Sequence, residues 1–210
     1  MSLVVASQHP LVHHFVAELR DARTRPAEFR RLVRVLAGLI AVEALADLSL
    51  IETEVRTPLG PCPSRRIDER VVIVPILRAG LGMVESILEL VPDAEVHHLG
   101  LKRDEATLEP TEYYRRLSHA PGDTRFLVVD PMLATGGSAV HACRLLREIG
   151  ARRIAYLALI AAPEGIERLG REDPEVSIHV AAIDQRLNEV GFIYPGLGDA
   201  GDRQFATFDS

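Results

Sequence analysis

Lysine is almost missing from this chain. Of 24 Lys and Arg side chains only Lys102 is a lysine, so 23 are arginines. A Walker-type phosphate loop needs a lysine directly before its Ser or Thr, and a Schiff-base enzyme needs one in its site. Neither has a candidate beyond Lys102. Cysteine is nearly as scarce, and Cys62 and Cys143 are too few for a disulfide framework. Long apolar runs are absent too. The longest, Ile154 to Ala162, has nine residues, far short of the ~20 that cross a bilayer. The N-terminus meets His9-Pro10 after one short apolar patch, which does not read as a secretory signal. These absences point to a cytoplasmic protein with no membrane partner.

Positive charge is not in excess either. The net charge is −6, with the arginines scattered among 30 acids. A nucleic-acid binder carries a basic footprint, so no nucleic-acid partner is expected. The densest basic cluster, Arg30, Arg31 and Arg34, reads as the solvated face of a helix. Of the eight histidines, the adjacent His13 and His14 cannot share one helix face, and no His-x-x-x-His pair is backed by a third ligand. No metal site built from protein ligands is therefore expected.

What is present is organised around residues 126–138. Phe126, Leu127, Val128 and Val129 read as a buried parallel strand. Asp130 stands at its carboxyl end, and Pro131, Met132, Leu133, Ala134, Thr135, Gly136, Gly137 and Ser138 form a loop before a helical pattern at 139–149. Ligands of open α/β sheets bind outside the carboxyl ends of the strands. A Gly-rich loop feeding a helix N-terminus offers free N–H groups and a positive dipole end to a phosphate. The same logic applies to Val71–Leu77 followed by Arg78-Ala79-Gly80-Leu81-Gly82 and a helix to Leu90. There an arginine fork at a strand end suits an anion.

Further strands are expected at 96–101, 153–161 and 176–183, the last ending at Asp184. Five strands separated by helices predict an α/β fold with a doubly wound five-stranded parallel sheet. Ahead of them, residues 10–21 and 26–47 read as helices. Thr24 is the expected N-cap of the second, Pro26 sits near its first position, and Leu32, Val33, Leu36, Leu39, Ile40 and Val42 supply an apolar stripe. Alternation over 50–57 predicts an extended arm ending at Thr57-Pro58-Leu59-Gly60-Pro61. The charged stretch from Lys102 and Arg103 through Tyr113-Tyr114-Arg115 reads as a long loop, of the kind that forms lids.

The tail, Gly191 to Arg203, contains a literal G-x-G-x-x-G at Gly196–Gly201. It is not a dinucleotide fingerprint, because only nine residues follow and no βαβ unit fits. Four glycines in eleven residues (191–201) instead suggest backbone folded closely against a ligand.

Asp130 to Ser138 resembles the phosphoribosyl-diphosphate (PRPP) signature of type I phosphoribosyltransferases, in the wording of the uracil phosphoribosyltransferases. Many relatives have two adjacent acids here; Asp130-Pro131 shares the departure seen in the uracil enzymes. The resemblance extends from His9-Pro10-Leu11-Val12 through Thr111-Glu112-Tyr113-Tyr114 and Ala161–Ile166 to Asp202-Arg203. It implies one phosphoribosyltransferase domain over 1–210, with N-terminal helices and arm over about 1–60 and a base-binding hood over about 184–210. It implies transfer from PRPP to uracil, giving UMP and diphosphate in pyrimidine salvage. By the same resemblance Asp130 holds the ribose hydroxyls, the loop from Pro131 to Ser138 binds PRPP with Thr135–Ser138 on its 5′-phosphate, and Arg78 and Arg103 hold the diphosphate. Ile193 and Gly198-Asp199-Ala200 contact uracil, with Asp199 also near the ribose; Asp130, Arg103 and Asp199 are the expected catalytic residues. Mg²⁺ is the implied cofactor, held mainly by PRPP and water. A homodimer or larger homo-oligomer is implied, and GTP is a candidate allosteric activator. The rival readings are a phosphoribosyltransferase-fold regulator that binds RNA and a nucleotide sensor without turnover. The acidic composition and the intact tail motif speak against them.

Overall fold

The computed structural model describes residues 2–103, 110–118 and 123–207. In chain order, β1 (Leu3–Ala6) leads into α1 (Pro10–Arg20) and α2 (Pro26–Ala44). A hairpin follows, of β2 (Leu50–Arg56) and β3 (Pro61–Ile67). Then come β4 (Val71–Leu77), α3 (Leu81–Leu90), β5 (Glu95–Val96), β6 (Leu99–Arg103) and β7 (Pro110–Arg115). The second half has β8 (Arg125–Val129), β9 (Met132–Leu133), α4 (Gly137–Glu148), β10 (Arg153–Ala161), α5 (Pro163–Glu172) and β11 (Ser177–Ile183). It closes with β12 (Arg186–Leu187), β13 (Ile193–Tyr194) and α6 (Ala200–Phe205).

The main sheet runs β1-β11-β10-β8-β4-β6-β7, with short β5 beside β4 and β9 beside β10. The five expected strands form its parallel middle. Two edges were not legible. β1 adds a parallel edge strand, Leu3 opposite Ser177 to Ala6 opposite Val180; four apolar residues are too short a run to separate strand from helix. At the other edge β7 runs antiparallel to β6, so the expected long loop contains a strand. Its Thr111-Glu112-Tyr113-Tyr114-Arg115 is polar and largely exposed, as befits an edge. The loop's centre, 104–109, lies outside the described residues. The single strand expected over 96–101 is divided into β5 and β6, with His97 and His98 between them.

Alternate residues of each central strand face opposite helical layers, as period-two geometry requires. Ile73, Leu127, Val129 and Leu157 join Phe29, Leu32, Leu36 and Ile40 of α2 in one core. Val72, Val74, Phe126, Val128 and Tyr156 join Ala142, Cys143 and Leu146 of α4 in the other. Helices thus cover both faces, which is why these strands are apolar throughout. Val42 does not belong to the α2 stripe and is 57% exposed. It lies two residues beyond buried Ile40, about 200° further round the helix. Thr24 is not the cap. Arg25 occupies that position without a side-chain bond, while Thr24 Oγ1 donates to the Glu18 carbonyl at 2.7 Å. In the expected solvated cluster, Arg31 pairs with Glu28, but Arg30 Nη1 reaches back to the Gln204 carbonyl at 2.7 Å.

The β2–β3 hairpin, in register from Leu50 opposite Ile67 to Arg56 opposite Pro61, is the expected arm. Its turn residue Leu59 is 99% exposed. Both cysteines are free; Cys143 is buried and Cys62 half-buried. Burial, with a smaller push from Asp173, raises the Cys143 thiol to about 12, which leaves it an inert packing group. Among the described residues no helix is long and apolar enough to cross a membrane.

Candidate active site

Three polar segments, which follow β4, β8 and β11, surround one cleft of about 310 Å³. The 130–138 loop forms its floor. Asp130 N–H still donates to Leu157 of the neighbouring strand at 3.2 Å, and the Pro131 carbonyl accepts from Leu159 (3.0 Å) and Ile160 (3.1 Å). β9 then rejoins β10, Met132 opposite Ile160. The loop is therefore pinned to the sheet along its first half. Gly136 follows at φ +77°, the N-cap of α4, a left-handed turn that suits glycine. It swings the chain so that Gly137, Ser138 and Ala139 enter the helix on the cleft wall. First-turn N–H groups lack intrahelical partners, so this end of α4 presents donors and a positive dipole to the cleft.

The loop's other side is fixed by α5. A Cβ on Gly165 would lie 2.3 Å from the Ala134 carbonyl oxygen and 2.8 Å from that of Leu133. Only glycine lets the first turn of α5 press this close to the loop backbone. Ala162 N–H completes the fit by donating to the Leu133 carbonyl at 2.9 Å.

Asp130 is half-buried at the cleft floor. Its Oδ1 lies 3.5 Å from Met132 N–H. Beneath it Tyr156, wholly buried on β10, hydrogen-bonds the carboxylate through its hydroxyl. Burial first, then the Asp130 charge, push that hydroxyl well above its ordinary range, so it stays a donor to Asp130.

The second segment follows β4. Arg78 is joined to Leu77 by a cis peptide bond, and Gly80 N–H donates to the Ile76 carbonyl at 2.9 Å. The Arg78 guanidinium stands 3.6 Å from Asp202.

The third segment is the tail. β12 and β13 pair antiparallel, Leu187 opposite Ile193. Asn188 Oδ1 closes the intervening turn by accepting from Val190 (3.1 Å) and Phe192 (2.8 Å). Below it Asp184, whose side chain is 3% exposed, takes both Arg20 guanidinium nitrogens and accepts Gly196 N–H at 2.8 Å. Arg20 also donates to the Gly196 carbonyl at 2.8 Å. Arg203 donates to the Leu19 and Leu197 carbonyls (both 2.8 Å) and to Asp21 (2.6 Å). Two arginine clamps thus fasten the tail to the end of α1. Asp199 caps α6 by accepting Asp202 N–H at 2.9 Å, and with Ala200 and Gly201 it forms the cleft wall facing the loop.

The family model described as uracil phosphoribosyltransferase matches residues 6–207. The chain belongs to this family. It is similar to a uracil phosphoribosyltransferase of Roseiflexus sp. (strain RS-1), 58% identical over 207 residues that cover 99% of this chain and 100% of the relative. A Bacillus pumilus relative of the same description is 50% identical over 208 residues, with the same coverage. Among solved structures, the AQ2163 protein from Aquifex aeolicus superposes with a TM-score of 0.94 at 41% identity, covering 99% of this chain and all of that one. A hypoxanthine phosphoribosyltransferase from Staphylococcus aureus, at TM-score 0.51 and 11% identity over 86% of this chain and 84% of its own, shares the fold.

The walls of the cleft bring together Asp130, Met132 to Ser138, Asp199 and Ala200 of the residues expected from sequence. Pro131, Gly198, Ile193 and Arg78 stand beside the walls, not on them. Ile193 turns its side chain into the core. The Arg103 side chain lies outside the described residues, although its backbone ends β6. Sequence reading missed Ala79, Phe192 and Tyr156 on the walls. Tyr156 had one available signal: a phenol inside an apolar central strand needs a polar partner.

Proposed function

We propose that this member of the uracil phosphoribosyltransferase family transfers 5-phosphoribose from PRPP to uracil, releasing UMP and diphosphate, a pyrimidine-salvage reaction. The observation that carries the reading is one cleft shared by a Gly-rich loop at a helix N-terminus and a clamped, glycine-rich tail. The full-length relatives at 50% identity and above carry the enzyme name, which favours turnover over a binding-only role.

The 5′-phosphate sits on the N–H groups of Thr135 to Ser138, at the positive end of α4. Asp130, which accepts the Tyr156 hydroxyl from below, also accepts the ribose 2′- and 3′-hydroxyls. Arg78 and Arg103 take the diphosphate. Uracil lies between that ribose and the tail, where Ile193 and Gly198 to Ala200 read its alternating N–H and C=O edge through the main chain. The bond from C1′ to the diphosphate oxygen breaks, the bond from C1′ to uracil N1 forms, and the N1 proton is lost. The exposed Asp199 carboxylate on the wall is placed to receive it. Positive charge develops on the ribose ring, as in glycoside cleavage. Neither Asp130 nor Asp199 serves as a nucleophile on the anomeric carbon in this scheme, so the rate rests on positioning and on stabilising the departing diphosphate.

Mg²⁺ fits this site as a substrate-borne ion. Among the described residues no three His, Cys, Asp or Glu side chains cluster to cage one, and magnesium prefers phosphate oxygens, waters and one or two carboxylates. Asp130 would be the cleft carboxylate to help hold it, and the ion would supply neutralisation of diphosphate charge. The exposed hairpin, with Leu50, Ile51, Leu59 and Ile67 open to solvent, supports pairing with a second copy. Purified protein given uracil, PRPP and Mg²⁺ is expected to form UMP and diphosphate in equal amounts, and to stop when the metal is chelated. Absence of UMP would overturn the reading.

A further inference from the structure

Arg78 is not waiting unpaired. Its Nη2 stands 3.6 Å from Asp202 Oδ1, with side chains 58% and 31% exposed. Asp202 belongs to α6, whose backbone is tied to the same turn that carries Arg78. Gln204, completely buried, donates through Nε2 to the carbonyls of Ala79 (3.1 Å) and Ala200 (3.0 Å). Its amide oxygen fills the space a Cβ on Gly82 would need, 1.8 Å from that position. Arg30 holds the Gln204 carbonyl from α2. Thr207 Oγ1 donates to Asp202 Oδ1, the oxygen facing Arg78, at 2.7 Å. The Thr207 hydroxyl thereby helps to hold the carboxylate beside the guanidinium.

We propose that Asp202 is a positioning residue that competes with diphosphate for Arg78 and so weakens diphosphate binding enough for release. The inference rests on the reading above, in which Arg78 holds the diphosphate. A diphosphate carries more charge than one carboxylate and can take the guanidinium fork at two oxygens, so it displaces Asp202 when it arrives. Each arrival breaks the Arg78–Asp202 pair and places a fixed negative charge next to the anion. Each departure restores the pair. Sharing one guanidinium between a resident carboxylate and a transient anion lowers affinity for that anion by the strength of the resident pair. For a half-exposed pair at this distance that strength corresponds to about two- to five-fold in affinity. The ordinary alternative, that Asp202 orients Arg78 to receive diphosphate, predicts the opposite sign.

The test is the inhibition constant of diphosphate against PRPP. Asp202→Asn keeps the shape and removes the charge. It is expected to bind diphosphate about two- to five-fold more tightly than the parent, with an unchanged melting temperature. Asp202→Ser serves if the asparagine variant loses its melting transition. Arg78→Gln is measured alongside, with an expected loss of about tenfold or more in diphosphate binding. In the double variant the Asp202→Asn gain is expected to vanish. If Arg78→Gln leaves diphosphate binding intact, the assignment of Arg78 to the diphosphate fails and this inference with it. If Arg78→Gln weakens binding but Asp202→Asn does not tighten it, or weakens it, the competition idea alone is overturned.

Discussion

Asp130→Asn is expected to lower kcat/KM for PRPP by ~10²–10³-fold while moving the melting temperature by no more than a few degrees. In the proposed complex Asp130 takes two ribose hydroxyls as a carboxylate, and a hydrogen bond to a charged group contributes roughly 1.5–3 kcal/mol. At about 1.4 kcal/mol per factor of ten, losing most of two such bonds gives that range. The fold is spared because the surroundings of Asp130 tolerate a neutral isostere. The Tyr156 hydroxyl can donate to an amide oxygen as it does to the carboxylate, and the backbone ties from Asp130 and Pro131 to β10 do not involve the side chain. Steady-state kinetics with a parallel thermal melt separates the two effects. Parent-like turnover would remove the role given to Asp130.

The second large effect is on stability. Asp184→Ala is expected to destabilise the protein by about 1–3 kcal/mol, because the buried Gly196 N–H loses its acceptor and the part-exposed Arg20 its charged partner. Arg20 would keep only the Gly196 carbonyl, and the Gly196 N–H would lose its acceptor. For a chain of this size the loss corresponds to a drop of roughly 5 °C in Tm. The same bonds hold the turn from Ile193 to Gly198 against α1, so the KM for uracil is expected to rise in the folded fraction while the KM for PRPP moves less. A thermal melt unchanged to within a degree or two would show that the clamp contributes nothing.

These two sites differ in how much the sequence discloses. Asp130 was legible because a carboxylate after four buried apolar residues and before Thr135-Gly136-Gly137-Ser138 has a local meaning: strand end, loop, helix start. The parallel strands were legible for the same reason, since burial on both faces makes each a continuous apolar run. Asp184 could be placed only as the end of a strand. Its meaning depends on Arg20, 164 residues away, and no local pattern encodes that pairing. The same holds for Tyr156 under Asp130 and for Gln204 between α6 and the Arg78 turn. The edges were illegible for a different reason. β1 is too short, and β7 too polar, to carry a strand signal without the neighbour that supplies its hydrogen bonds. Thr24 shows a third kind of failure: its hydroxyl donates to the Glu18 carbonyl in the preceding helix instead of accepting from the first-turn amides it was expected to cap.

The Gly-rich tail was legible as tightly folded backbone, and the structure adds the clamps that hold it. Arg20 and Arg203 bind its carbonyls, and Asp184 binds its amide. A main-chain surface held this firmly reads donors and acceptors in a fixed order, and a base that presents the wrong order leaves buried polar groups mispaired. Base choice is therefore where the account is most exposed. The deciding measurement is kcat/KM for uracil and for cytosine at saturating PRPP and Mg²⁺. The account predicts UMP from uracil and a kcat/KM for cytosine lower by ~10⁴-fold or more. Comparable turnover of the two bases, or none with uracil, would contradict it.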